Sequence, residues 1–330
     1  MPRCNLTVTR QKWPINGSFR IYRGAKLHAE VIYVEISQGD LKGCGEAVPY
    51  GRYGETCKSV MKQIKDVSKQ VEEGITRMQL LNAMPAGAAR NAIDAALWDL
   101  EAKYYNQPPS VMLNMGELTP VLSCYTISLD APEKMAENAL KAQYHPLLKL
   151  KLGGGYEKDA ATMRAVRKAL PQHRLVVDAN EGWTAQTLFP LLDIAYECKI
   201  ELVEQPLPTN LDNILYNITS PVPLCADESF HTIDDIEDVA KKYQAINIKT
   251  DKTGGLTHGL ATLMAARNAN LKIMVGCMVG TSLAMAPAFV LTKGADWVDL
   301  DGPLLLLNDR DNGLKEHNGI LTPPDRTLWG

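Results

Sequence analysis

Four residues able to do acid, base or ligand chemistry each close a short apolar run: Asp178 after RLVV, Glu204 after IELV, Asp227 after PLCA and Lys249 after AINI. An earlier run, LLKLKL at 147–152, carries Lys149 and Lys151 at i and i+2. In an extended strand that spacing puts both amines on one face and the leucines on the other. Three carboxylates brought together repel one another unless a cation neutralises them, and all-oxygen ligation with water left over suits Mg²⁺. A single Asp at a strand end is commonly a helix cap or a solvated rim residue. Three at matching heights on consecutive strands predict a metal centre of Asp178, Glu204 and Asp227. Two ammonium groups side by side disfavour each other's charge, so one of the paired lysines is expected to titrate below the usual ~10.4 and act as a base. Lys249, four strands farther on, is expected to face them. Lys151 and Lys249 would then flank a carbon next to a carboxylate, which is what inversion by proton transfer requires.

Such convergence needs a scaffold that gathers strand ends. From about residue 120 the sequence alternates β-branched runs with helical segments, the pattern of a parallel sheet with crossover helices. Eight runs are expected as strands: 121–129, 147–152, 174–178, 200–204, 223–227, 245–249, 271–277 and 297–301. Seven helical candidates lie between them and none follows the eighth. The fold class is therefore α/β, a modified TIM barrel of (β/α)₇β form whose C-terminal strand ends make the active-site rim. Ahead of it, apolar and polar residues alternate through the first fifty positions, with glycine breaks at Gly17, Gly39 and Gly43 to Gly45, as in an antiparallel meander. Helical patterns follow at 57–73 and 86–105. The expected organisation is an α+β capping domain over 1–118, the barrel over 119–310 and a tail, 311–330, that returns to the cap.

The 330 residues, 45% of them hydrophobic, are enough for a barrel and a smaller partner. A net charge of −3 with dispersed Lys and Arg gives nucleic acid no footprint. No run approaches the ~18 apolar residues of a spanning helix, so no membrane partner is expected and a cytoplasmic location is. Seven scattered cysteines without a CxxC pair are expected to be reduced core fillers. The GxG at 43–45 and LGGG at 152–155 lack a P-loop or dinucleotide fingerprint and are expected as turns. DRDNG at 309–313 lacks the closing Glu of a calcium loop. Cys277 has no His placed to activate it and is expected to pack or to line substrate.

Together NAIDAALWDL (91–100), KLKLG (149–153), VVDAN (176–180), VEQPL (203–207), CADES (225–229) and NIKTDKTGGL (247–256) resemble the enolase superfamily, in its muconate-lactonising subgroup. The motifs span nearly the whole chain in the family's order. The resemblance implies Asp178, Glu204 and Asp227 as ligands of one Mg²⁺, Lys151 and Lys249 as the acid/base pair, and Lys149 as the neighbour that tunes Lys151. It also implies an enediolate intermediate, chemistry for which enolase-superfamily sites are a standard example. Within the subgroup the chain is similar to the dipeptide epimerases that act on L-Ala-D/L-Glu in murein-peptide recycling. Asp299 and Asp301, at i and i+2 in DLD, would meet the ammonium of a small dipeptide, a rim cap or supporting pair being the alternative. Arg23 in FRIYRG would read the glutamate side chain. Thr126, Cys277 and Met278 resemble positions lining the dipeptide, and Glu228 would orient Lys249. The rivals are an N-succinylamino acid racemase, an o-succinylbenzoate synthase or a cycloisomerase of the same subgroup, and a non-catalytic, metal-stabilised binding protein on the same scaffold. A homo-oligomer stays open.

Overall fold

The computed structural model describes residues 3–330. Strands β1 (Asn5–Ile21), β2 (Gly24–Gln38) and β3 (Leu41–Ala47) form an antiparallel sheet in that order. The β1–β2 register runs from Asn5 opposite Ser37 to Pro14 opposite His28, slips, and resumes from Phe19 opposite Lys26 to Ile21 opposite Gly24. Tyr22 and Arg23 therefore sit at the hairpin tip. Burial of Ile32, Val34 and Ile36 gives the sheet one apolar face. The helix Ala88–Tyr105 lies on that sheet with Ala92, Ile93 and Ala96 in the shared core.

Here the GxG expected as a turn proves to be strand. Gly43 and Gly45 lie inside β3, and a Cβ on either would sit 2.1 Å from the carbonyl oxygen of Ala96 or Ala92. These glycines are notches that let the helix backbone touch the strand. LGGG at 152–155 is a turn, with Gly153 and Gly155 at positive φ. The helix expected over 57–73 is broken at Val67 into Cys57–Asp66 and Ser68–Glu72; the Ser68 hydroxyl donates to the Lys65 carbonyl at the break.

The chain then enters the barrel. Its strands are β4 (Val121–Leu122), β5 (Tyr125–Ile127), β6 (Leu147–Lys151), β7 (Arg174–Asp178), β8 (Val203–Glu204), β9 (Leu224–Ala226), β10 (Ala245–Ile248), β11 (Lys272–Gly276) and β12 (Trp297–Asp299). A last hairpin, β13 (Glu316–His317) and β14 (Ile320–Leu321), belongs to the tail. Strands β5 to β12 make one parallel eight-stranded sheet in sequential order. The first expected strand is thus split: β4 pairs with β14, and only β5 joins the barrel. Ser123 makes the handover, its amide bonding the Gly319 carbonyl at 2.9 Å and its hydroxyl accepting the Leu300 amide at 3.0 Å. The seam between β12 and β5 closes through Cys124 N to Val298 O at 2.8 Å and through Thr126 N to Asp301 Oδ2 at 2.6 Å.

Five of the seven crossovers contain α-helices of ten or more residues: Pro132–Lys141, Tyr156–Ala169, Ala185–Glu197, Leu256–Asn268 and Ser282–Leu291. The crossover after β8 holds only the 3₁₀ segment Asp212–Asn217, because Pro206, Pro208, Pro221 and Pro223 remove amide donors on both sides. The one after β9 opens with a Thr232-capped 3₁₀ turn and has a single α-turn, Ile236–Val239. No α-helix follows β12. The tail ends on the cap helix, where Trp329 Nε1 donates to Ala95 O at 3.0 Å and Gly330 N to Asp99 Oδ1 at 2.7 Å. Among the described residues no helix is long and apolar enough to cross a membrane.

Candidate active site

The floor of the barrel is an apolar plug of Cys124, Leu147, Val176, Leu202, Cys225, Ala245, Met274 and Trp297, one residue for each barrel strand. Side chains alternate along a strand, so the residues two positions on face inward one level higher. They are Thr126, Lys149, Asp178, Glu204, Asp227, Asn247, Gly276 and Asp299. Polar residues thus fill almost the whole second level. Gly276 is required there, since a Cβ would lie 2.4 Å from Asn247 Oδ1; Asn247 in turn donates to Glu204 Oε1 at 2.7 Å. Register pairs Lys151 with Asp178 and Asp178 with Glu204, but Glu204 pairs with Cys225. Asp227 is thus offset by two residues from the register partner of Glu204, the stagger by which a tilted barrel brings side chains of neighbouring strands to one level.

Every one of these carboxylates meets an ammonium group. Lys149 Nζ lies 2.6 Å from Asp299 Oδ2, 2.5 Å from Glu204 Oε2 and 3.4 Å from Asp178 Oδ2. Lys151 Nζ is 2.5 Å from Asp178 Oδ2 and Lys249 Nζ 2.7 Å from Asp227 Oδ2. The other Asp227 oxygen and its carbonyl accept from Lys252, both at 2.7 Å. Burial works against the charge on Lys149, but Asp299, Glu204 and Asp178 outweigh it and hold the ammonium well above the usual lysine value. Lys249 is raised in the same way by Asp227 and Glu204. The expectation that neighbouring lysines depress one another thus fails for Lys149, because acids outnumber amines around it. Burial pushes Glu204 up, with Asp178 adding to it, whereas Lys249 and Lys252 overcome burial and hold Asp227 well below the carboxylate range.

With the oxygens turned to lysines, no three carboxylate, thiol or imidazole groups among the described residues converge as a metal site. The donor set nevertheless fits a hard divalent cation. Asp178, Glu204 and Asp227 are close enough to disturb one another's ionisation, and Glu204 Oε2 is buried without a hydrogen bond even though Lys149 is near.

Above this level a cavity of about 350 Å³ opens. The barrel contributes Lys151, Asn180, Asp227, Lys249, Cys277 and Met278 to its wall, and the cap contributes Phe19, Arg23, Lys26, Tyr50 and Arg52. Six of the sequence-derived residues thus share one space. Thr126, Asp299 and Asp301 lie behind it. Asp299 is bonded to Lys149, with Oδ1 left unpartnered, and Asp301 is bonded to the Thr126 amide. Burial and the adjacent Asp299 push Asp301 up to about 7. Thr126 instead borders a second cavity of about 310 Å³, and Phe19 stands between the two. Burial raises the Cys277 thiol far above its usual value, so it stays neutral and unreactive.

Arg23 is already engaged. Its guanidinium donates to Asn180 O at 2.8 Å, Glu181 at 3.0 Å, Tyr50 at 3.1 Å and Glu228 at 2.5 Å. Glu228 therefore braces Arg23, while Lys249 takes its partner from Asp227. Glu181 also accepts two bonds from Arg52, each 2.8 Å, and one from Thr209 N at 3.1 Å. Asn180 and Glu181 both have positive φ, 47° and 70°, a conformation that persists only where surrounding bonds enforce it. Behind Lys249, the cap helix fixes the following turn: Asn91 donates to Asp251 at 2.8 Å, and Arg90 donates to Gly254 O at 3.0 Å.

Comparison with known proteins matches residues 3–113 to the mandelate racemase / muconate lactonizing enzyme N-terminal domain and 133–327 to the enolase C-terminal domain-like family. The chain belongs to the enolase superfamily. Among its relatives in that superfamily, an N-acetyl-D-glutamate racemase from a Pseudoalteromonas species is 42% identical over 91% of this chain and 95% of its own length. The L-Ala-D/L-Glu epimerase of Escherichia coli K12 is 40% identical over 95% and 98%. A crystal structure of an enolase family member from Agrobacterium tumefaciens with homology to dipeptide epimerases, holding sodium and L-Ala-L-Glu, superposes with TM-score 0.97. It is 45% identical and covers 99% of this chain and 100% of that one. The dipeptide epimerase of Enterococcus faecalis V583, complexed with Mg and L-Leu-L-Tyr, gives 0.92 at 27% identity, covering 98% of each chain.

Several site residues of this superfamily member escape sequence reasoning. Asn247 was reachable, being two positions before Lys249 and so on the same face. Lys252 sits in the quoted NIKTDKTGGL motif, one helical turn beyond Lys249. Phe19, Lys26, Arg52 and Glu181 gave no signal, because hairpin and loop residues meet the barrel only through tertiary folding.

Proposed function

We propose that this chain is a Mg²⁺-dependent dipeptide epimerase that inverts the C-terminal residue of L-Ala-D-Glu and L-Ala-L-Glu by two-base proton transfer. One observation carries the reading: Lys151 ending β6 and Lys249 following β10, four strands apart, line the same cavity. Lys151 takes the α-proton from one epimer while Lys249 delivers a proton to the opposite face, and the reverse reaction exchanges their roles. Asp178 and Asp227 orient the two amines, and Lys149 shares Asp178 with Lys151. Asp178, Glu204 and Asp227 would hold the cation, which when bound supplies positive charge beside the substrate carboxylate and makes the α-proton more acidic. Asp299 and Asp301 would draw the dipeptide ammonium to the far end, Arg23 the side-chain carboxylate, and Thr126, Cys277 and Met278 would border the peptide. The cap residues close the cavity against water. The seven cysteines, all free, fit a reducing cytoplasm, where recycling of murein peptides would supply such dipeptides.

A second reading, racemisation of N-acetylglutamate, is favoured by the Pseudoalteromonas relative and by Asp299 and Asp301 already being bonded to Lys149 and Thr126. Proton exchange and inversion of L-Ala-L-Glu and N-acetyl-L-glutamate, followed side by side in D₂O with Mg²⁺, separate the two. We expect kcat/KM at least ~100-fold higher on the dipeptide, because only the dipeptide brings an ammonium group to the unpartnered Asp299 Oδ1. A higher value on N-acetylglutamate refutes the epimerase reading.

A further inference from the structure

The short turn Gly51–Tyr53 follows the cap sheet and gives Gly51 and Arg52 to the wall of the main cavity. The ring of its last residue, Tyr53, meets His231 edge-on at 4.4 Å and Tyr50 at 5.2 Å, and packs against Val31, Val48 and the cavity residue Met278. Its hydroxyl is buried, yet among the described residues nothing hydrogen-bonds to it. Packing alone does not require that oxygen, since phenylalanine would fill the space without the desolvation penalty. Burial pushes the phenol far above its usual value, Asp227 adds to the rise and Lys249 opposes it. The hydroxyl thus stays protonated and stands within electrostatic reach of both. Lys249 Nζ, for its part, has one hydrogen-bond partner among the described residues, Asp227 Oδ2 at 2.7 Å, and the other oxygen of that carboxylate serves Lys252. An ammonium carries three protons. One is tied to Asp227 and one must face the reacting carbon, which leaves the third without a holder. The aromatic neighbour of Lys151 is different: Phe19, 5.9 Å from Nζ, has no oxygen to offer.

We propose that Tyr53 is a positioning residue for Lys249, its hydroxyl accepting one N–H as the lysine turns toward the substrate. With Asp227 holding a second N–H, the remaining site on the nitrogen points at the α-carbon. That site carries the proton when Lys249 delivers one and the lone pair when it takes one, and the tyrosine oxygen accepts from the amine in both states. A single bond would leave the nitrogen free to swing; two fix its direction. This rests on the two-base reading above and gives one base a support that the other lacks.

The test follows exchange of the α-proton with D₂O by NMR in the Mg²⁺-loaded single-lysine variants, since Lys151→Arg leaves Lys249 as the base and Lys249→Arg leaves Lys151. Adding Tyr53→Phe to Lys151→Arg should slow exchange of its epimer at least ~10-fold, through kcat with KM held within about twofold, as expected for losing one hydrogen bond to a charged group. Adding it to Lys249→Arg should change exchange by less than ~2-fold, because that route does not use the hydroxyl. Damage to the packing of the cap would slow both routes alike. In a thermal melt without substrate, Tyr53→Phe alone should have a Tm at or above that of the wild type, because it deletes an unpartnered oxygen and keeps the ring. Equal slowing of both routes, or of neither, overturns the inference while the two-base reading stands. So does a Tm several degrees below wild type, which would mark the hydroxyl as a structural contact. If neither single-lysine variant exchanges either epimer, both fail.

Discussion

Replacing Glu181 by Gln removes one negative charge from a point where four loops are tied. Its carboxylate is 8% exposed and faces Arg23 at 3.0 Å and Arg52 at 2.8 Å, from two cap segments, along with the Thr209 amide. Gln keeps the size and the backbone but weakens the hydrogen bonds and leaves both guanidinium groups without their shared acid. Arg52 is 37% exposed and solvent-screened, so its pair contributes about 1 kcal/mol; the less exposed Arg23 contact adds roughly as much. About 2 kcal/mol corresponds to roughly a 30-fold change in the balance between docked and undocked cap loops. Steady-state kinetics on L-Ala-L-Glu should show KM rising by about that factor and kcat falling less, because the barrel lysines are untouched. Burial raises the Glu181 carboxyl, but Arg52, Thr209 and Arg23 together hold it below the ordinary value of 4.5. The tie is therefore complete above about pH 4.5 and is lost as pH falls through the lowered value, so wild-type KM should climb below about pH 4.5 by a step that Glu181→Gln lacks. A KM within twofold of wild type at neutral pH would show that the two arginines do not hold the cavity closed.

Lys151→Arg and Lys249→Arg should each abolish epimerisation while retaining exchange of one epimer's α-proton with D₂O, with opposite preferences, measured by NMR; exchange of both epimers by either variant would leave a single mobile base. Chelation should remove activity and Mg²⁺ restore it, and Asp178→Asn, Glu204→Asn or Asp227→Asn should weaken Mg²⁺ binding in titration calorimetry; full turnover without metal would refute the assignment. Gly45→Ala should cost about 3 kcal/mol and lower Tm by several degrees, because the new Cβ meets helix backbone, the Ala92 oxygen at 2.1 Å and the Ala96 nitrogen at 2.8 Å, rather than a side chain that could yield.

The barrel is legible because two periodicities act together: alternation within strands puts Lys149, Asp178, Glu204 and Asp227 on inward faces, and right-handed crossovers order the strands sequentially. What the sequence hides is relative height. Stagger between strands, by which Asp227 and not the register partner Cys225 stands level with Glu204, comes from barrel closure and leaves no local mark. The same limit explains Gly43 and Gly45, read as turn residues because a glycine that admits a neighbouring helix looks locally like one that bends the chain. Arg23 shows a third limit. Its position at the hairpin tip follows from the sequence, but its partners, Glu181 and Glu228, lie more than 150 residues away.

The split of the cavity wall bears on how such an enzyme changes its clientele. The two lysines and the acids beside them are embedded in the parallel sheet, where a substitution disturbs several strands at once. Phe19, Lys26, Tyr50 and Arg52 project from a hairpin and a short loop, held to the barrel through Glu181, Glu228 and a few other polar contacts. A library confined to positions 19–26 and 50–53, with Arg23, Arg52 and Tyr53 kept, would sample new side-chain preferences against a constant reaction centre. Selection for dipeptides with basic or apolar second residues should accordingly enrich changes at Lys26 and Phe19 before any residue of the sheet.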